Sequence, residues 1–151
     1  MDGESFRFLF RQSEGTIGAA LWRRWTLALT GLGLAGALLW VALSPWLQRD
    51  LSVQGLFDLR AVIASVYLLL FTLLLVVTQI SQMNLSAKRF RAISVNSALA
   101  SLWPLAAFGA AAGFWVQPNL FGLAPDFAPW LIVATALGVF GWQFWLLGRD
   151  A

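Results

Sequence analysis

The sequence predicts an all-α fold: a polytopic transmembrane bundle of four helices with the N- and C-termini cytoplasmic. Three observations carry this. Of 151 residues, 60% are apolar and 11% charged, whereas water-soluble domains carry about 25% charged residues. The charges fall in short clusters, and Trp25–Gln48, Ala61–Ala87, Ala92–Pro125 and Phe127–Gly148 are free of them. The basic residues are also unevenly shared between the ends of these stretches.

A helix needs about 20 mostly apolar residues to cross roughly 30 Å of hydrocarbon. By that measure residues 1–24 form a cytoplasmic or interfacial segment. Spans follow at about 25–47, 61–81, 95–116 and 129–147, and 148–151 is a cytoplasmic tail. Asp2 and Glu4 precede the first basic residues, and the first apolar run exceeds a signal core, so no cleavable signal is expected. Phe6, Phe8, Leu9 and Phe10 adjoin Arg7 and Arg11, a pattern that suits either an interfacial anchor or docking segment, or an apolar tail lying on lipid. Pro45 marks the exit of the first span, and Arg49–Arg60 is expected in the outer interface. Pro104 is expected to kink the third span. Gln117-Pro118-Asn119 with Gly122 and Pro125 reads as a loop, with Pro129 in the first turn of the fourth helix.

An even number of spans places Arg7, Arg11, Arg23, Arg24, Lys88, Arg89, Arg91 and Arg149 on one side, and Arg49 and Arg60 on the other. Eight basic residues against two orient the first side to the cytoplasm by the positive-inside rule. Trp22, Trp25, Trp142 and Trp145 then fall at that interface, and Trp40, Trp46, Trp115 and Trp130 toward the opposite one. Indole favours that depth because its ring is apolar while its N–H needs a partner.

The chain has no Cys and no His. This removes thiolate chemistry, the commonest metal ligand and the usual acid–base residue at neutral pH. No catalytic, cofactor-binding or metal site is expected, and no enzymatic activity. A net charge of +3 is accounted for by topology, so no nucleic-acid partner is expected. No Asp, Glu, Lys or Arg occupies the middle of a predicted span, where ion-coupled carriers generally place one.

Two features remain as candidate sites. The stretch Asn84–Arg91, read as a cytoplasmic loop, carries Lys88, Arg89 and Arg91. These three would contact lipid phosphates, or serve as a topology signal alone. Small residues at four-residue spacing form the second feature: Gly31/Ala35, Gly33/Ala37, Gly109/Gly113 and Ala134/Gly138. Such pairs let backbones approach, within the bundle or against a second copy or partner helix. Ser65, Tyr67, Thr72, Thr78, Ser97, Ser101 and Thr135 are also polar; Ser and Thr can bond their own helix backbone. Gln79 and Gln143 are placed to bond each other or a partner helix.

Lys88-Arg89-Phe90-Arg91-Ala92 resembles the Arg-Arg-Leu-His-Asp-type cytoplasmic loop of a family of small four-helix bacterial inner-membrane proteins of uncharacterised function. Asn119-Leu120-Phe121-Gly122 is similar to the family's later Asn-Arg-Phe-Gly-Pro-type segment. The His and Asp of the first motif are absent here, and the resemblance implies no activity. The expected function is a non-catalytic accessory or assembly subunit of a larger membrane complex, without cofactors. Its partners would be membrane lipids and other integral membrane proteins, or further copies of itself as a homo-oligomer. The alternative is a small oligomeric transporter or channel with a site formed between protomers.

Overall fold

The computed structural model describes residues 3–12, 14–47, 58–116, 125 and 127–149. The described residues are helical or in short connections. Helix α1 spans Gly3–Phe10, α2 Ala19–Leu43, α3 Leu59–Ala92, α4 Leu102–Val116 and α5 Ala128–Leu147. A 3-10 helix at Ser44–Leu47 follows α2, and another at Ser97–Ser101 precedes α4. Three helical stretches are long and apolar enough to cross a membrane: Ala19–Trp46, Leu59–Ala92 and Trp130–Leu147.

Each boundary has a local cause. The α2 helix tightens at Pro45, which has no N–H for the Val41 carbonyl; the Ser44 hydroxyl donates to that oxygen instead, at 3.0 Å. Asp58 caps α3, its Oδ1 accepting from the Arg60 N–H at 2.9 Å. From Leu59 to Ala92 there is neither Gly nor Pro, so nothing stops the helix for 34 residues. The predicted loop Asn84–Arg91 is therefore helical. Its Leu, Ala, Lys and Arg are good helix formers, and charge alone ends no helix.

What ends α3 is a Schellman turn. Ser94 is left-handed at φ 57°, the Val95 N–H donates to Phe90 O at 2.9 Å, and the Ser94 N–H to Arg91 O at 3.1 Å. Glycine normally fills this position because a Cβ is strained there. Ser94→Gly is expected to raise stability by about 1 kcal/mol; an unchanged or lower melting temperature would refute this.

The predicted third span is likewise divided. Asn96 caps the 3-10 helix by accepting from the Ala98 N–H at 2.9 Å. The chain becomes α-helical at Leu102, so Pro104 falls in the first turn of α4, where a missing N–H costs little. The expected mid-helix kink is thus replaced by a change of helix type. The fourth predicted helix agrees with α5, and Pro129 lies in its first turn.

The chain forms two compact units, residues 1–26 with 80–151, and residues 27–79. In the second unit, the Tyr67 hydroxyl donates to Gly36 O at 2.6 Å, and Tyr67 stacks on Phe71 at 5.9 Å. A methyl on Gly36 would lie 2.4 Å from Phe71 Cε2. Because Phe71 is buried and held by that stack, Gly36→Ala is expected to cost about 1–3 kcal/mol. Thermal melting in detergent measures it, and an unchanged transition would show that Phe71 yields freely. The outward faces of this unit carry Leu34, Leu38, Val41, Leu69, Leu73 and Val77, all exposed.

In the first unit, α4 and α5 pack antiparallel: Trp103 meets Phe140 at 4.8 Å, and Gly109 faces Ile132. Its core lies around the last three turns of α3. Leu85, Phe90 and Leu147 are fully buried there, beside Trp22. Trp22 is buried within the protein: its N–H finds Ser86 Oγ at 3.3 Å and its ring meets Phe144 at 5.6 Å. Trp142 and Trp145 are exposed.

Candidate functional site

The most polar part of the first unit is also its interior. Along α3, Gln82, Asn84, Ser86, Lys88 and Arg89 are all buried. They point around most of the helix circumference, so neighbouring elements must supply partners on several sides.

Those partners are mainly the carbonyls that helix ends leave unpaired. A helix has no internal donors for its last four C=O groups. In α1, Arg7 O accepts from the Arg11 and Gln12 N–H groups. Phe8 O and Leu9 O both accept from Lys88 Nζ, the second at 3.1 Å, and Phe10 O accepts from Asn84 Nδ2 at 2.7 Å. All four are thereby satisfied. The Lys88 ammonium also lies 4.1 Å from the centre of the Phe8 ring, a cation–π contact. At the other terminus, Leu147 O of α5 accepts from Arg89 Nε at 2.9 Å, and Arg149 O from Arg89 Nη2. Each cation faces the negative end of a helix dipole as well as specific oxygens.

A smaller network sits one turn earlier. Gln82 Nε2 donates to Thr26 Oγ1 at 2.9 Å and lies 3.4 Å from Ser86 Oγ, which also receives the Trp22 N–H. Gln82 Oε1 is buried with no hydrogen-bond partner among the described residues. Gln143 donates to Leu99 O at 2.8 Å, a second bond to a carbonyl of the 3-10 helix that also accepts from the Leu102 N–H.

The predicted phosphate-contacting cations thus separate. Lys88 and Arg89 turn inward and give their donors to main-chain oxygens. Arg91 is half-buried and donates one N–H to Gly15 O at 3.2 Å. The predicted packing residues separate too. Gly109 meets Ile132, and Gly113 is half-buried, whereas a methyl on Gly31, Gly33 or Gly138 would meet nothing. Ala35 and Ala134 are exposed beside them. Gly36 makes the close helix approach in the second unit.

Thr26, Gln82, Asn84 and Ser86 were not among the predicted site residues. The signal that would have found the three on α3 is the run Ser81, Gln82, Asn84, Ser86, Lys88, Arg89, which leaves a helix no continuous lipid-compatible face; Thr26 has no such signal. The segment Asn119–Gly122 and most of the Arg49–Arg60 loop lie outside the described residues. Among the described residues, no group of three His, Cys, Asp or Glu could hold a metal ion. The hub can bind by hydrogen bonding and charge, and its chemistry is that of fastening helix ends. No protein-family model, curated protein or solved structure matches the chain.

Proposed function

We propose that this chain is a non-catalytic integral protein of the bacterial inner membrane, an accessory or assembly subunit that packs through its helices in a larger membrane complex. In this reading it crosses the bilayer four times, the continuous 3-10 and α-helical stretch Ser97–Val116 joining the three long helices, with both termini in the cytoplasm. The topology is supported by the hub. Phe8, Leu9 and Gly15 from the N-terminal segment, and Leu147 and Arg149 from the C-terminal end, all hydrogen-bond to residues 88–91 of α3. Such bonds are in keeping with the two ends and the end of α3 sharing one side, as an even number of crossings demands. The eight basic residues that orient the chain all belong to that compact unit, in keeping with the positive-inside rule.

The observation that carries the subunit reading is a pair of open small-residue patches, one in each unit. A methyl on Gly31 or on Gly138 would meet nothing within 4 Å, and Ala35 and Ala134 beside them are exposed. Small residues let a partner backbone come close where lipid supplies no hydrophobic drive between helices. The transport alternative is weakened by the hydroxyls of Ser65, Thr72 and Thr135. Each donates to a carbonyl of its own helix, at 2.7 to 2.9 Å.

Affinity purification of the tagged full chain from membranes in mild detergent tests the proposal, with mass spectrometry of what is retained. Stoichiometric co-purification of specific integral membrane proteins is expected. A lone monomer under conditions that preserve known membrane complexes would overturn it. Substrate flux by the purified chain in proteoliposomes would favour the transporter instead.

A further inference from the structure

The turn at Ser94 brings the 3-10 helix Ser97–Ser101 back beside α3, and between them lies a groove of about 340 Å³. That volume falls at the lower end of small-ligand sites, about 300–1,000 Å³. Its α3 wall is formed by Met83, Ala87 and Arg91, residues four apart and so on one helix face. Opposite stand Asn96, Ser97 and Ser101. The Arg91 guanidinium has five N–H donors, and its bond to Gly15 O uses one and anchors the side chain. Asn96 is fixed by accepting from the Ala98 N–H, which leaves its amide Nδ2 as a donor. The Ser97 hydroxyl is a further donor. The groove therefore pairs a cationic fork and neutral donors with the apolar surface of Met83 and Ala87.

We propose that this groove binds the phosphodiester of an anionic phospholipid headgroup. Arg91 forks the phosphate oxygens, Asn96 Nδ2 and Ser97 Oγ donate to them, and Met83 and Ala87 lie against the glycerol carbons. Free phosphate shares the anionic chemistry. The lipid is favoured because Leu102, next in the chain to the groove residue Ser101, and Leu105, about one turn further, are exposed on the first turns of α4 and offer an acyl chain an apolar surface. The inference rests on the membrane reading above and narrows the three candidate cations to Arg91. Lys88 and Arg89 already hold carbonyls of α1 and of the chain's C-terminal end.

The full chain, purified in mild detergent, is titrated with phosphatidylglycerol or phosphatidylcholine, with and without inorganic phosphate, and retained lipid is read by native mass spectrometry. One phosphatidylglycerol per chain is expected, in preference to phosphatidylcholine and undisplaced by phosphate. Arg91→Gln is expected to weaken retention about tenfold, the scale of one charge-assisted hydrogen bond. Ala98→Leu, which adds bulk at another residue lining the groove and leaves every charge in place, is expected to weaken it as well. Circular dichroism establishes that each variant is folded, and Ala98→Leu decides the matter if Arg91→Gln is not. Equal retention of both lipids, retention unchanged in the folded variants, or displacement by inorganic phosphate would overturn the proposal. Alkaline carbonate extraction separates the two levels. A chain released from membranes defeats the membrane reading, whereas an embedded chain with no lipid preference defeats the groove alone.

Discussion

Lys88→Met is expected to detach α1 from the end of α3. Methionine nearly matches the aliphatic length of lysine but cannot donate to Phe8 O and Leu9 O. A buried acceptor left without a donor costs about 1–3 kcal/mol, and the cation–π contact with Phe8 goes with it. Removing a desolvated charge returns part of this, so the loss concentrates in α1, whose carbonyls recover hydrogen bonds by moving into water. An eight-residue helix is far below the length that is stable alone, so α1 unfolds once undocked. Trypsin cleavage at Arg7 and Arg11 reports this directly. A local opening made about 2 kcal/mol easier corresponds to cleavage roughly thirtyfold faster, when opening and closing outpace proteolysis. Cleavage at the wild-type rate would show that Lys88 does not hold this segment.

Trp22→Ala is expected to produce the largest loss of global stability. Trp22 is 1% exposed. Its indole fills the space between α3 and Phe144, and its N–H meets Ser86 Oγ. Truncating a buried Trp to Ala costs about 3–5 kcal/mol, because the transfer energy is lost and a cavity remains. Trp22→Phe keeps a six-membered ring but loses the pyrrole part with its hydrogen bond, a smaller cost of about 1–3 kcal/mol. Denaturation in detergent, followed by circular dichroism, separates the two. A Trp22→Ala transition within about 1 kcal/mol of wild type would mean that the core of the first unit lies elsewhere. If Trp22 instead sat at a lipid interface, the two variants would differ little in global stability.

The long helices were legible because apolar length is a local property. Trp25–Leu47, Ala61–Ser81 and Pro129–Leu147 all lie within the described helical segments that begin at Ala19, Leu59 and Ala128. The end of α3 was less legible, because a cluster of charges does not stop a helix. Lys88, Arg89 and Arg91 continue α3, and the stop is the left-handed Ser94, a residue with no strong claim to that position. The back-bonded Ser65, Thr72 and Thr135 followed the expected local pattern. Gln143 bonds across to another helix, its carboxamide donating to Leu99 O, 44 positions away.

Composition and spacing alone determined that this protein is built of long apolar helices with its charges gathered near their ends, because helix hydrogen bonding and apolar length are local properties of the chain. Only tertiary structure decided which polar groups turn inward. Lys88 reaches across 80 positions to Phe8, and Arg89 across 60 to Arg149. A carbonyl at a helix end calls for a donor without specifying where in the chain that donor comes from, so the choice among Lys88, Arg89 and Arg91 was made by the packing that brings both chain ends to α3.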